Sequence, residues 1–196
     1  MKRSSESMSN KDRLLLTAID LMALKGYKGV STKEIASAAG VSEMTLFRNF
    51  GSKQNLLETA IERFYYAGEM KRVFDEELVR DLESDLLLIS RRYQDSMNRN
   101  RKMIRIVLQE PELKPLRDQA QRHPRLLKEL LAEYFDQMQR EGRAARTDSE
   151  AAALSFMWMN YGAFMSSLFE AEPITDGSMP ELLVNGISLF AKAMKP

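Results

Sequence analysis

The chain has 196 residues, 44% of them hydrophobic and 29% charged, with 29 Lys/Arg against 28 Asp/Glu and a net charge of +1. These are the proportions of an ordinary water-soluble globular protein, and they exclude a disordered or fibrous chain. The absence of cysteine excludes disulfides and thiolate metal sites and agrees with a reducing compartment.

Leu86-Leu87-Leu88-Ile89, the longest aliphatic run, falls far short of the ~18 apolar residues of a membrane span. Residues 1–9 form a polar, serine-rich arm with no apolar stretch that a signal-peptide system could read, so a cytoplasmic protein with no membrane partner is expected. The single histidine, His123, cannot build a metal cluster alone, and no metal or cofactor is expected. Preceding Pro124, it reads as an exposed or capping residue at a helix start. Charge is unevenly spread: residues 1–55 hold nine basic against five acidic side chains, a local net of +4. Concentrated positive charge of this kind is the footprint of a nucleic-acid-binding segment.

Taken in chain order, Leu15, Ala18, Ile19 and Met22 recur at three- and four-residue spacing and predict an amphipathic helix over 11–25, closed by Gly26. Ser31-Thr32-Lys33-Glu34 fits a capping box, with the serine accepting from the Glu34 backbone and the glutamate reaching back. The helix it opens is short, because Gly40 follows Ala38-Ala39 and Val41-Ser42 begins another start. A third helix is predicted over 43–49. Gly51-Ser52-Lys53 repeats the device and opens a long helix, to about Val79. Further helices are predicted at 81–98, 102–109, 115–141, 148–170 and 180–194, divided by Pro111, Pro115, Gly142, Pro173, Gly177 and Pro180. No stretch alternates with period two, so the fold class is all-α with about nine helices.

Two short helices joined by a glycine-led tight turn form a helix-turn-helix, whose second helix can enter the major groove of DNA. Ile35, Ala36, Ala39, Val41, Leu46 and Phe50 face inward in that arrangement, leaving Glu43, Met44, Thr45, Phe47, Arg48 and Asn49 outward beside the capping Ser42. Arg48 can bridge two acceptors of guanine, Asn49 can pair with adenine, Thr45 can reach a base or a thymine methyl, and Glu43 can accept from cytosine. Phosphates fall to Thr32 and Lys33 at one helix start and Lys53 at another. The competing reading makes residues 31–53 three short helices of a bundle, in a helical interaction module without specific DNA binding. Such a module has no salt-sensitive DNA affinity. An enzyme would need a nucleophile with its base, a metal cluster or a phosphate-cradling loop, and no catalytic residues of these kinds are found.

The run from Gly29 to Lys53 closely resembles the DNA-binding domain of the tetracycline-repressor (TetR) family. It carries Thr32, Ile35-Ala36, Ala39-Gly40-Val41-Ser42, Thr45-Leu46, Phe50 and Ser52-Lys53 in order. The resemblance covers roughly residues 10–60; beyond it only the helical layout is similar. It implies a homodimeric, usually repressing regulator of a palindromic double-stranded DNA operator, with a divergent C-terminal region that binds an inducer. It also places Thr32, Lys33, Thr45, Phe47, Arg48, Asn49 and Lys53 at DNA. One departure is Phe47, where the family commonly has a tyrosine whose hydroxyl meets a phosphate.

The expected organisation is therefore a polar arm (1–9), a three-helix DNA-binding domain (10–55) and a helical effector-binding and dimerisation domain (56–196). A helix of some 26 residues from Lys53 would span about 39 Å and couple the two domains. The stretch 154–169 is apolar on nearly all sides and needs partners on more than one face. In the family layout, it and the last helix form a four-helix bundle with a second copy. Thirteen methionines suit an adaptable cavity for an apolar or amphipathic small molecule. Met70, Phe74, Tyr93, Met97, Met103, Trp158 and Tyr161 are its candidate lining.

Overall fold

A computed structural model describes residues 9–64, 67–168 and 175–196, the side chains of residues 64 and 67 excepted. The described residues contain α-helices and no strand. In order these are α1 (Asn10–Lys25), α2 (Thr32–Ala38), α3 (Glu43–Phe50), α4 (Lys53–Phe64), α5 (Ala67–Arg72), α6 (Leu82–Arg99), α7 (Arg101–Gln109), α8 (Lys114–Ala120), α9 (Arg122–Arg140), α10 (Ser149–Leu168) and α11 (Met179–Ala193). Grouping 53–77 and 114–140 as single stretches, as periodicity does, reduces these segments to the expected nine.

The departures have local causes. Of the helix predicted over 53–79, residues 65 and 66 lie outside the described residues; on either side of them are α4 and α5, and the helix ends early in a π-helical turn at Val73–Glu77 followed by extended Leu78. Pro115 does not divide helices: it is the second residue of α8, where its missing N–H and fixed φ are tolerated. His123 is buried inside the first turn of α9, not exposed. The end of the helix predicted to reach residue 170 lies outside the described residues.

The chain divides into two compact units. The first joins α1–α4 to residues 102–119, so that Met103, Ile106, Val107, Leu113 and Leu116 share one core with Leu15, Ile35, Leu46 and Leu57. The motif itself ends near residue 55, and the sequence of α7 carries no mark of which neighbour it packs against.

The second unit comprises residues 66–101 and 120–196. In it α9 packs on α10, and α6 packs on α10 and α11. Edge-on ring pairs Phe74–Tyr134, Tyr134–Phe135 and Phe135–Phe190 run through its core, with centroids 6.3, 5.7 and 6.1 Å apart. Gly186 permits a close approach of α11 to α10, since a Cβ there would stand 3.2 Å from Met159 Sδ.

A buried carboxylate closes the start of α6. Asp85, 1% exposed, accepts from the backbone N–H of Val79 and Arg80 at 2.8 and 3.0 Å and from the Tyr134 hydroxyl at 2.8 Å. Three donors offset its desolvation. They also hold Arg80 at φ 64°, a conformation seldom adopted by a side chain of its size.

Candidate nucleic-acid interface

Three serines start the three helices of the site. Ser31 accepts from Glu34 N at 3.1 Å, Ser42 from Thr45 N at 3.2 Å and Ser52 from Asn55 N at 3.0 Å. Each satisfies a backbone donor that the first turn of a helix leaves open. The capping box at Ser31 is only half formed, however. The Glu34 carboxylate pairs with Lys25 at the end of α1, where a charge partner outweighs a return bond to the backbone.

The turn between α2 and α3 is set by Gly40, whose φ of +69° suits a residue without a side chain. Val41 N returns to Ala36 O at 3.0 Å. Ile35, Ala36, Ala39, Leu46 and Phe50 are buried beneath the crossing, and Val41 packs partly against the same core. With Leu46 and Phe50 inward, α3 directs Met44 and Arg48 outward, one turn apart, and leaves Phe47 and Asn49 on the flanks.

The outward side chains are not equally available. Thr32 Oγ1 donates to Glu43 Oε1 at 2.6 Å, joining the start of α2 to the start of α3. The Thr45 and Ser42 hydroxyls are 2.9 Å apart, and Asn49 Nδ2 donates to Thr45 O at 2.7 Å. Lys33 and Arg48 are exposed cations without an ion pair or hydrogen bond among the described residues. Lys25 and Lys28, by contrast, pair with Glu34 and Glu112.

Lys53 has a different setting from the one its motif position suggested. Its ammonium donates to Tyr27 O and Val30 O at 2.7 and 2.8 Å and lies 4.3 Å from the centroid of the Tyr27 ring. Two of its three donors are thereby committed to the turn between α1 and α2. On the other side of that turn, Glu110 Oε1 accepts from Tyr27 N at 3.2 Å. Burial, then Glu112 and Glu110, raise the Tyr27 phenol above its ordinary pKa.

Residues expected to line an effector cavity are not brought together as a set. Met70, Tyr93 and Met97 are buried in the second unit, with Phe74 half-buried beside Tyr134. Met103 belongs instead to the core of the first unit. Trp158, 66% exposed, and Tyr161 stand on the outside of α10. The buried residues of this helix, Ala152, Ala153, Phe156, Asn160, Phe164 and Leu168, form one broad covered side, and its apolar composition continues onto the open side.

Sequence reasoning missed the Asp85–Tyr134 contact and a buried polar set in which Ser90 Oγ donates to Asn160 Oδ1 and Gln94 Nε2 donates to Asn160 O at 2.8 Å. A signal was present: Asp85 falls at helical spacing among Leu82, Leu86 and Ile89, a carboxylate within an apolar stripe.

Two short capped helices crossing over a small-residue contact, with an unpaired arginine on the outer face of the second, define a helix-turn-helix DNA-binding protein. Residues 14–60 match the family model for bacterial regulatory proteins of the tetR family, and residues 84–194 match the C-terminal domain of AefR-like transcriptional repressors. The chain is 30% identical over 184 residues to the HTH-type transcriptional regulator YvkB of Bacillus subtilis, covering 93% of this chain and 95% of that one. It belongs to the TetR family of transcription regulators.

Solved structures share the fold at lower identity. NalD, the secondary repressor of the MexAB-OprM multidrug efflux pump in Pseudomonas aeruginosa, superposes with a TM-score of 0.68 at 20% identity, over 92% of this chain and 95% of that one. AibR in complex with isovaleryl coenzyme A and operator DNA gives 0.63 at 20% identity, over 92% and 97%. Among the described residues no helix is long and apolar enough to cross a membrane.

Proposed function

We propose that the chain acts in the cytoplasm as a homodimeric repressor that holds a palindromic operator and is released by a small apolar or amphipathic effector. The observation that carries the reading is the outer face of α3, where unpaired Arg48 projects opposite buried Leu46 and Phe50. In a major groove Arg48 bridges O6 and N7 of guanine, and Lys33 at the start of α2 meets phosphate. Lys53 acts mainly by fixing the turn before α2, with one donor left for phosphate. Ser42 and Thr32 set the entry angles of α3 and α2, and Glu43, through Thr32, keeps the two helix starts together. The Thr45 hydroxyl is shared with Ser42, whereas Asn49 keeps its Oδ1 and a second N–H for a base edge.

Dimerisation through α10 and α11 is supported by the exposed apolar side chains Trp158, Tyr161, Leu182, Val184 and Leu189 that these helices carry. Apolar side chains left exposed in this number on two adjacent helices fit an interaction surface. The effector belongs to the second unit, where Met70 and Met97 are adaptable apolar groups and Phe74 and Tyr93 add aromatic surface. Its binding lowers operator affinity by changing the spacing at which two recognition helices are offered to their half-sites.

Footprinting on DNA upstream of the chain's own coding region tests the reading. A protected palindrome whose occupancy falls steeply as salt rises is expected. Binding indifferent to sequence rejects the operator, and no DNA binding at all favours the interaction module.

A further inference from the structure

We propose that Met44 and Phe47 make α3 a reader of thymine 5-methyl groups, so that each half-site is specified by methyl contacts beside a guanine taken by Arg48. This rests on the DNA-binding reading above. Met44 is 80% exposed and Phe47 47% exposed; Met44 lies one turn before Arg48 on the side of α3 away from its core, and Phe47, at i+3 from Met44, stands on the adjoining flank.

Other polar groups of α3 are partly committed to local bonds: Glu43 to Thr32, Thr45 to Ser42, and one N–H of Asn49 to the Thr45 carbonyl. Met44 and Phe47 are the exposed apolar side chains of this helix, and Arg48 is its cation without a local partner among the described residues. Among base edges in the major groove, the thymine 5-methyl is the apolar group, the others being donors and acceptors. An apolar face continuous with Arg48 thus finds its complement in thymines next to the contacted guanine. Met44 is unbranched and adjusts its reach; the Phe47 ring is flat and rigid.

The test uses the full-length protein and duplexes that it selects from a random double-stranded library. Selected duplexes are resynthesised with deoxyuridine replacing thymidine, singly and together, and titrated by fluorescence anisotropy. Each contacted methyl that is removed should weaken wild-type binding about fourfold, the factor expected for one buried methylene-sized group. Met44→Ala should abolish the thymine preference at one position per half-site and Phe47→Ala at another, with helical content by circular dichroism unchanged for Met44→Ala. Equal wild-type affinity for thymine and uracil duplexes overturns the inference and leaves operator binding standing. Uracil sensitivity that persists in both variants also overturns it. Failure to select any sequence overturns the DNA-binding reading, and the inference with it.

Discussion

Lys53 and Tyr27, on opposite sides of the helix-turn-helix, meet twice: the ammonium donates to the Tyr27 carbonyl at 2.7 Å and lies 4.3 Å from the centroid of the Tyr27 ring. A third contact, to Val30 O at 2.8 Å, ties the start of α4 to the turn that aims α2. Replacing Lys53 by methionine keeps the stem and removes the charge. Two carbonyls lose a charged donor, and a destabilisation of about 1.5–3 kcal/mol is expected. Thermal denaturation monitored by circular dichroism checks this; a phosphate-only lysine would leave the melting temperature unchanged and lower DNA affinity alone.

Two glycines of the same module should respond differently to alanine. At Gly40 a Cβ meets nothing within 4 Å, so the cost comes from the positive φ alone, about 1 kcal/mol. At Gly29 the Cβ would stand 2.2 Å from Lys25 O, and the end of α1 must move. Gly29→Ala is therefore expected to be the more destabilising variant, by urea denaturation, and to weaken DNA binding as the α1–α2 turn shifts.

Tyr134 predicts an alkaline limit. Burial first, and its hydrogen bond to Asp85 second, raise its phenol above the ordinary value of about 10. The stabilisation it brings is whole below that pH and is lost as pH rises toward the folded-state value, because a phenolate would face the Asp85 carboxylate. Tyr134→Phe should cost about 1.5–3 kcal/mol at pH 7, with the deficit relative to wild type shrinking above pH 10. A deficit constant to pH 11 would show that the hydroxyl is not coupled to the carboxylate.

At the acid end, hydrogen bonds from Ser9 and Arg63 to Asp12, from Lys25 to Glu34 and from Ser84 to Asp81 hold these carboxyls below their usual range. Their contributions are present above about pH 4 and are lost as pH falls through the lowered values. Stability should thus decline below pH 4, and Asp81→Asn, which can still cap α6, should lessen the decline.

For the dimer, Leu189→Glu places a charge on a side chain that is 67% exposed on α11. A solvent-facing substitution leaves the protomer's core intact. Sedimentation should show a folded monomer with much weaker operator binding, since each subunit would meet its half-site alone. A dimer unaffected by this change would place the interface elsewhere.

The helix-turn-helix was legible because its information is local. Ser31, Ser42 and Ser52 announce helix starts, Gly40 announces the turn, and the spacing of Ile35, Ala39, Leu46 and Phe50 announces the buried side. Tertiary choices were less legible. Glu34 has both a capping role and a charge partner within reach, and only the fold brings Lys25 beside it. Met103 and Trp158 are both apolar residues at helical spacing, yet one is core and the other exposed, because periodicity shows that a face is apolar without showing what covers it. Lys53 fits a phosphate-binding pattern equally well whether its ammonium faces outward or toward Tyr27 O.

The most direct measurement compares the affinity of wild type, Arg48→Ala and Lys33→Ala for the selected operator and for a scrambled duplex across a salt series. Arg48→Ala should lose about 1–3 kcal/mol of discrimination between the two duplexes. Lys33→Ala should keep that discrimination while flattening the salt slope by about one phosphate contact. An Arg48→Ala protein that still separates operator from scrambled DNA as sharply as wild type would contradict the placement of α3 in the groove.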